Sequence, residues 1–341
     1  MTTRFEQEIR SQGSILRERA ERGREQARLV AESFQGASYV LAAARGSSDN
    51  AALFFQYLAG EDLGLLVALA TPSLYEGETA IGLNGAAVLA ISQSGRTPSL
   101  LAVVERALAQ GRPNAVITND ATSPLAAVAE HVIELEAGPE LAVAASKTFS
   151  STWQALAQLV EALQGSALEG LDGLPELVER TATWALETSL PVAALNVGGG
   201  LTVVGRGIGQ SVAAETALKI REVAGIRSES FAAPDFLHGP IGAAGEGSTL
   251  VLIVTDELSD AVAGELLTES QRAGMGTVVV RTHERVGLAS DEEIVLGESA
   301  PNWSVGLAQV VVGQVLALRL GELRGRPIDT AEGLNKITLS A

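Results

Sequence analysis

Residues 92–97 hold the strongest candidate ligand site in the sequence. The polar run Ser92-Gln93-Ser94-Gly95 follows a short apolar segment, and Thr97-Pro98 comes next. Pro98 suits the first position of a helix and Thr97 suits its N-cap, so hydroxyls and free backbone N–H groups meet at a helix start. Such a place attracts anions, and Gly95 lets the backbone approach one closely. An ordinary polar turn is the alternative for this segment taken alone.

Glu215, Lys219 and Glu222 form the second candidate group. They stand at positions i, i+4 and i+7 of a predicted helix, so all three lie on one face. A solvent-exposed ladder of ion pairs is the alternative that this spacing usually favours.

Two further residues, His238 and Lys336, stand alone. His238 lies between aromatic residues and a Gly-Pro pair, and Lys336 lies in a neutral, partly apolar C-terminal tail. An imidazole serves as an acid and base near neutral pH, and a lysine partly removed from water is a useful nucleophile. A structural histidine and a frayed surface tail are the alternatives.

The elements that must position these residues follow a repeated pattern. Short apolar runs at 39–44, 63–69, 86–91, 114–118 and 131–135 alternate with helix-length segments, and a long helix is predicted at 144–163. The pattern restarts with runs at 201–205, 249–255, 277–281 and 293–296. Continuous apolar strands that alternate with helices predict parallel sheets covered on both faces. VLAAARGSS at 40–48 resembles LTVVGRGIG at 201–209, which indicates two copies of one α/β unit.

Composition excludes several classes of protein. The 341 residues suffice for about two domains, and the net charge of −17 disfavours nucleic acid and anionic membranes as partners. Cysteine is absent, which excludes disulfides, thiolate metal sites and cysteine nucleophiles. The three histidines are too scattered for an evident metal motif. No uninterrupted apolar run reaches the ~18 residues of a membrane span, and residues 1–25 lack the apolar stretch of a signal peptide, so we expect a cytoplasmic protein.

Six motifs, in this order, resemble those of the SIS (sugar isomerase) family. They are RGSSDN at 45–50, ISQSGRTP at 91–98, AVAASKTF at 142–149, GRGIGQSVAAETALKIREV at 205–223, FLHGP at 236–240 and LNKITLS at 334–340. Within the family, the chain is similar to stand-alone glucosamine-6-phosphate deaminases and to the isomerase half of glucosamine-6-phosphate synthase. The implied fold is α/β, with two tandem SIS domains that are each a parallel five-stranded sheet flanked by helices, as in flavodoxin.

The resemblance also implies domain boundaries. We expect an N-terminal helical segment at 1–34, SIS domain 1 with the phosphate site at 35–165, a helical linker at 166–196, SIS domain 2 at 197–328 and an active-site tail at 329–341.

Each candidate residue has an implied role. The phosphate group of a sugar would contact Ser92, Gln93, Ser94 and Thr97, with Ser48 near the sugar and the backbone of Val143 lining the pocket. Glu222 matches the glutamate that moves a proton between C1 and C2 of the open-chain sugar, with Lys219 and Glu215 as charged neighbours. His238 matches a histidine that the partner subunit of a homodimer supplies for ring opening, and Lys336 matches a lysine that can form an imine with the ketose.

The implied reaction converts glucosamine 6-phosphate and water to fructose 6-phosphate and ammonia, with no cofactor or metal. A ketose–aldose isomerase, a fructosamine-phosphate deglycase and a non-catalytic sugar-phosphate sensor are the alternatives. Three departures from the family pattern are Ala145 in place of a serine, Pro234-Asp235 in place of a Gly-Glu pair, and Asn335 in place of an alanine. Without a cysteine nucleophile, glutamine-dependent synthesis by this chain is implausible. The sequence leaves open the identity of the sugar and the oligomeric state beyond a dimer.

Overall fold

The chain forms two compact units, each built around one parallel sheet. The computed structural model describes residues 2–77, 81–195, 197–255, 258–283 and 288–330. Among these, the first-sheet unit comprises residues 14–140 and 147–175, and the second-sheet unit comprises residues 2–13, 141–146 and 176–330. The expected boundaries at 35–165 and 197–328 remain a prediction.

The first-sheet unit holds a five-stranded sheet in the order β2-β1-β3-β4-β5, with every pair parallel. Its strands are β1 Tyr39–Ala43, β2 Val67–Leu69, β3 Ala86–Ile91, β4 Asn114–Thr118 and β5 His131–Glu134. Its helices are α2 Gln12–Ser33 (which begins in the other unit), α3 Ser47–Leu63, α4 Pro98–Ala109, α5 Pro124–Val128 and α6 Lys147–Gln164. Every residue of β3 is buried, because helices cover both faces of a parallel sheet.

Two contacts fix the position of α6 within the first-sheet unit. The rings of Phe54 and Trp153 stack with centroids 3.6 Å apart. Buried Arg19 donates to Gln154 Oε1 at 2.6 Å and to Gln158 Oε1 at 3.2 Å. Burial among these neutral partners lowers the pKa of Arg19 to about 10. These contacts hold the middle of α6, from Trp153 to Gln158.

The second-sheet unit repeats the same topology. Its sheet runs β10-β9-β8-β6-β7, again with all pairs parallel. The strands are β6 Gly200–Gly205, β7 Ser228–Ala232, β8 Ser248–Ile253, β9 Gly276–Arg281 and β10 Glu292–Val295. The helices are α1 Arg4–Arg10, α7 Leu174–Glu187 (which begins in the other unit), α8 Ile208–Lys219, α9 Ala233–Leu237, α10 Asp260–Arg272 and α11 Asn302–Leu323. The predicted architecture of two parallel five-stranded sheets flanked by helices is confirmed.

Three details differ from the prediction. The run at 63–69 is only partly strand, because α3 continues to Leu63 and ends at Gly64 in the left-handed conformation with φ 62°. The long helix begins at Lys147 rather than at residue 144. Strand β7 was missed because its sequence SESFA forms no continuous apolar run.

Helix α11 was also missed, since its hydrophobic residues surround it and give no amphipathic period. By length and composition alone it could cross a membrane, with a mean hydropathy of 1.5, but 94% of that stretch is buried within the protein. It packs against α8, and Gln309 Nε2 donates to the carbonyl of Val254 at 2.9 Å. Burial at the centre of the second-sheet unit accounts for its apolar composition.

Candidate functional site

The order of the first sheet creates a crevice between β1 and β3. These strands are neighbours in space although β2 separates them in sequence. In this topology ligands bind where the strand order reverses, outside the carboxyl ends of the strands. Ser48, in the first turn of α3, and the loop after β3 both follow strands that end at this edge. Gly46, with φ 60° and ψ −131°, makes the turn that leads into α3.

The loop of residues 92–97, here called the hydroxyl loop, is held in a defined shape by its own hydrogen bonds. Ser92 is buried and its N–H donates to the carbonyl of Ile117 at 3.0 Å. The N–H of Gly95 donates to Ser92 Oγ at 3.2 Å, and Ser92 Oγ lies 3.2 Å from Thr97 Oγ1. Gln93, Ser94 and Thr97 remain partly exposed, so their polar groups are accessible to a ligand.

Thr97 is the N-cap of α4 by its backbone, with φ −78° and ψ 114°, and Pro98 is the first helical residue. The side chain of Thr97 forms no cap hydrogen bond and instead faces Ser92. Pro98 has no N–H, and the N–H groups of Leu100 and Leu101 both donate to the carbonyl of Thr97 at 3.2 Å. Among the described residues of this first turn, the N–H of Ser99 is therefore left for another acceptor, such as an anion at the helix start.

Gly95 is required by the space around it. Its φ is +62°, and a Cβ at this position would lie 2.0 Å from Ser123 Oγ and 2.4 Å from Ser123 Cβ. No larger residue fits without moving the loop. The carbonyl of Gly95 also accepts from the N–H of Leu125 at 3.1 Å, which joins the loop to the start of α5.

Residues after β4 support the hydroxyl loop, and sequence reasoning missed them. The N–H of Asn119 donates to the carbonyl of Gln93 at 3.0 Å, and Arg96 forms a 2.9 Å ion pair with Asp120. Hydrogen bonds from the hydroxyl and N–H of Thr122, together with Arg96, lower the pKa of Asp120. The polar run Asn119-Asp120-Ala121-Thr122-Ser123 directly after a buried strand was the available signal.

The charged triad of Glu215, Lys219 and Glu222 lies in the second-sheet unit. Lys219 Nζ lies 3.4 Å from Glu215 Oε1 and is also hydrogen-bonded to Glu222 Oε2. The side chains of Glu215 and Lys219 are 0% and 1% exposed, and that of Glu222 is 24% exposed. A solvent-exposed ladder is therefore wrong: the ion pairs are buried, and only Glu222 reaches the surface.

Glu222 lies in a turn where the chain changes from α-helix to π-helix. After α8, residues Ile220–Ala224 form a π-helical turn, a distortion that is frequent at functional sites. The guanidinium of Arg221 bonds to the carbonyl of Ser228, and Ser228 Oγ donates to the carbonyl of Ala217 at 2.7 Å. The start of β7 thus fixes the end of α8 and the turn that carries Glu222.

The remaining predicted residues have three different settings. His238 follows α9 and is exposed, and within the described ranges its side chain has no hydrogen-bond partner. Val143 is partly buried in the second-sheet unit, where the carboxylate of Glu8 accepts from the N–H groups of Leu141 and Ala142. Lys336 lies outside the described residues.

A separate cavity of about 270 Å³ lies in the second-sheet unit and holds none of the predicted site residues. It opens at the start of β6 and β7, between Thr202, Glu229 and the loop that carries Pro240. This is the amino edge of the sheet, whereas ligand sites of such folds lie at the carboxyl edge.

Comparison with known families gives two matches along the chain. The family model described as the SIS domain matches residues 34–162 and again residues 199–319. Each match contains one of the two sheets, so the internal repeat and the family match agree.

Relatives and solved structures extend the likeness to nearly the whole chain. Glutamine–fructose-6-phosphate aminotransferase (isomerizing) of Halobacterium salinarum is 28% identical over 319 residues, which cover 90% of this chain and 53% of that protein. The chain thus spans about half the length of the curated relatives it matches. A candidate phosphosugar isomerase from Silicibacter pomeroyi DSS-3 has a TM-score of 0.84 and 29% identity, covering 96% of this chain and 99% of its own. Glucosamine-6-phosphate deaminase from Thermotoga maritima shares the fold, with a TM-score of 0.78, 18% identity and coverage of 99% and 100%.

Proposed function

The chain belongs to the SIS family, and from that membership we propose that it is a phosphosugar isomerase that acts as a deaminase on glucosamine 6-phosphate. The products would be fructose 6-phosphate and ammonia. The buried charged triad is the observation that carries this proposal. Phosphate recognition at the hydroxyl loop makes no use of this triad, whereas a buried ammonium between two carboxylates is expensive to maintain without a chemical use.

In the proposed reaction the hydroxyl loop binds the phosphate group. Ser94 and Thr97 offer hydroxyls, Gln93 offers its side-chain amide, and the N–H of Ser99 offers a backbone donor at the start of α4. Ser48 would contact the sugar near the phosphate. Because the phosphate takes no part in bond changes, this binding orients the sugar and leaves its carbonyl end free to react.

Glu222 would transfer the proton between carbons. In open-chain glucosamine 6-phosphate, its carboxylate removes the proton from C2, and C1 receives that proton after the double bonds shift. The product is an imine at C2, which water hydrolyses to the ketose and ammonia. A single carboxylate that reaches both carbons suffices for this step. Lys219 bonds to Glu222, so it orients the carboxylate and supplies positive charge near the developing oxyanion.

His238 would open the sugar ring before the proton transfer. Ring opening needs a proton donor and acceptor near neutral pH, which suits an imidazole. Its exposed position is compatible with donation of this residue to the partner subunit of a homodimer, as the family resemblance implies. Lys336 would stand near the ketose carbonyl in the same scheme.

Ammonia release from purified protein tests the reaction. Glucosamine 6-phosphate should give equal amounts of ammonia and fructose 6-phosphate, as measured by coupled assay and phosphorus NMR. Isomerisation of another sugar phosphate without ammonia would remove the deaminase step and leave an isomerase. Tight binding without turnover of any sugar phosphate, including fructosamine phosphates, would contradict the enzyme and indicate a sensor.

Glu222→Gln tests the assigned base. The amide keeps the shape but takes no proton, so we expect kcat to fall by about 100-fold to 10,000-fold while KM changes little. Glu265→Gln is the matched control, since Glu265 is exposed on α10 and the change in charge is the same. Unchanged turnover in Glu222→Gln would remove this residue from the mechanism.

A further inference from the structure

Lys147 is a buried lysine without an electrostatic partner among the described residues. It is the first residue of α6 and is 9% exposed. Within the part of the chain that the structure describes, no hydrogen bond or ion pair joins its ammonium group to another residue. The nearby carboxylate of Glu140 instead accepts from Thr148 at 3.0 Å and 2.7 Å. An unpaired buried charge is unfavourable, so an external anion is the partner that would compensate it.

The position of the ammonium group connects it to the hydroxyl loop. Lys147 Nζ lies 4.0 Å from the point that a Cβ on Gly138 would occupy. The carbonyl of Gly138 accepts from Asn119 Nδ2 at 2.9 Å, and the N–H of Asn119 donates to the carbonyl of Gln93 at 3.0 Å. Two hydrogen bonds therefore link the backbone beside the ammonium to the hydroxyl loop, at the carboxyl edge of the first sheet.

A phosphate at the hydroxyl loop would need a cation to balance its negative charge. The loop itself offers neutral hydroxyls and amides, and Arg96 is already paired with Asp120. Desolvation raises the pKa of Asp49, one residue after Ser48, and the charge of the nearby exposed Arg45 opposes that rise. The whole chain carries a net charge of −17. Among the described residues of the first-sheet unit, Lys147 is the one lysine, and no ion pair joins it to any of them.

We propose that Lys147 is a binding residue for the phosphate group of the substrate, with its ammonium supplying the positive charge that the hydroxyl loop lacks. The inference rests on the proposed function, since it assumes that a phosphate binds at that loop. It assigns to Lys147 a place in substrate affinity and none in proton transfer. A dianionic ligand that accepts a hydrogen bond from a buried ammonium is bound more tightly than one that accepts from neutral donors alone, because charge-assisted hydrogen bonds are about twice as strong.

Phosphate affinity tests this assignment without turnover. Binding of inorganic phosphate and of fructose 6-phosphate would be measured by calorimetry for the wild type, Lys147→Met and Lys147→Arg. We expect Lys147→Met to raise Kd for both by about tenfold or more, the usual effect of losing a hydrogen bond to a charged group. Lys147→Arg should retain most of the affinity. Arg28→Met is the matched control, because Arg28 is an exposed cation of the same unit, and it should change Kd less than about twofold.

Two further measurements distinguish a role of Lys147 in phosphate binding from a role in folding. Methionine replaces an unpaired buried charge with an apolar chain, so the Tm of Lys147→Met should equal or exceed that of the wild type. In the ammonia assay KM should rise with little change in kcat. Unchanged phosphate affinity in Lys147→Met, whether or not its Tm falls, would overturn the role of Lys147 and leave the proposed function standing. A wild type that binds no phosphate and releases no ammonia would instead contradict the proposed function.

Discussion

At the scale of single residues, Gly95 controls the hydroxyl loop. Its φ is +62°, and Ser123 Oγ lies 2.0 Å from the point that a Cβ would occupy, which leaves no room for a side chain. Gly95→Ala should therefore open the loop, since the contact strains the loop in addition to the ~1–2 kcal/mol cost of the left-handed conformation. We expect phosphate affinity to fall by about tenfold or more, as measured by calorimetry.

Gly111→Ala separates backbone strain from lack of space. Gly111 has nearly the same φ, +60°, and nothing lies within 4 Å of its Cβ position. This variant should lower the Tm through conformational strain alone and leave phosphate affinity unchanged. Equal losses of affinity in both variants would show that the contact with Ser123 does not shape the site.

At the scale of elements, the close packing of α8 against α11 determines where the charged triad lies. A Cβ on Gly313 of α11 would stand 2.3 Å from Thr216 Oγ1 on α8. Gly313→Ala should push the helices apart and lower the free energy of unfolding by about 1–3 kcal/mol, the usual cost of overpacking. Because Thr216 lies between Glu215 and Lys219 in sequence, kcat for ammonia release should also fall.

Gly264→Ala is the control for that helix pair. Gly264 lies in α10 with nothing within 4 Å of its Cβ position. Replacing a glycine inside a helix by alanine should raise the free energy of unfolding by about 0.5–1 kcal/mol, measured by urea denaturation. A Gly313→Ala protein as stable as the wild type would contradict the tight contact between α8 and α11.

At the scale of the whole molecule, the proposed dimer makes a prediction that no single variant can test. Glu222→Gln and His238→Asn should each be inactive in ammonia release. If His238 acts in the partner's site, a mixed dimer restores one site that carries both native residues. Equal mixing with free subunit exchange should then recover about 25% of wild-type turnover, since half of the dimers are mixed and each has one intact site.

The control for complementation is a mixture of Glu222→Gln with a Glu222→Gln, Lys219→Met double variant, in which no combination restores an intact site. Subunit exchange would be verified by native mass spectrometry of tagged chains. Absence of recovery in verified mixed dimers would show that His238 works within its own chain or takes no part in turnover.

Much of the fold could be predicted from the sequence because the strongest sequence signals are local. The apolar runs located strands β1, β3 and β4 because strands buried on both faces need continuous hydrophobic residues. The Thr97-Pro98 pair located the start of α4, since proline and an N-cap residue act on the first helical turn alone. The failures were also local: β7 is polar enough to give no run, and α11 is too uniformly apolar to give a period.

The amino-acid sequence by itself determined the repeated α/β architecture, the start of α4 and the residue types that can bind an anion. Only the tertiary structure decided that Lys219 and Glu215 are buried, because the spacing of charges on a helix does not reveal what packs against it. It alone revealed that Ser123 fills the space beside Gly95 and that Asn119 supports Gln93, since those contacts join segments far apart in the chain. Burial and long-range contact depend on how whole elements pack, and no short stretch of sequence carries that information.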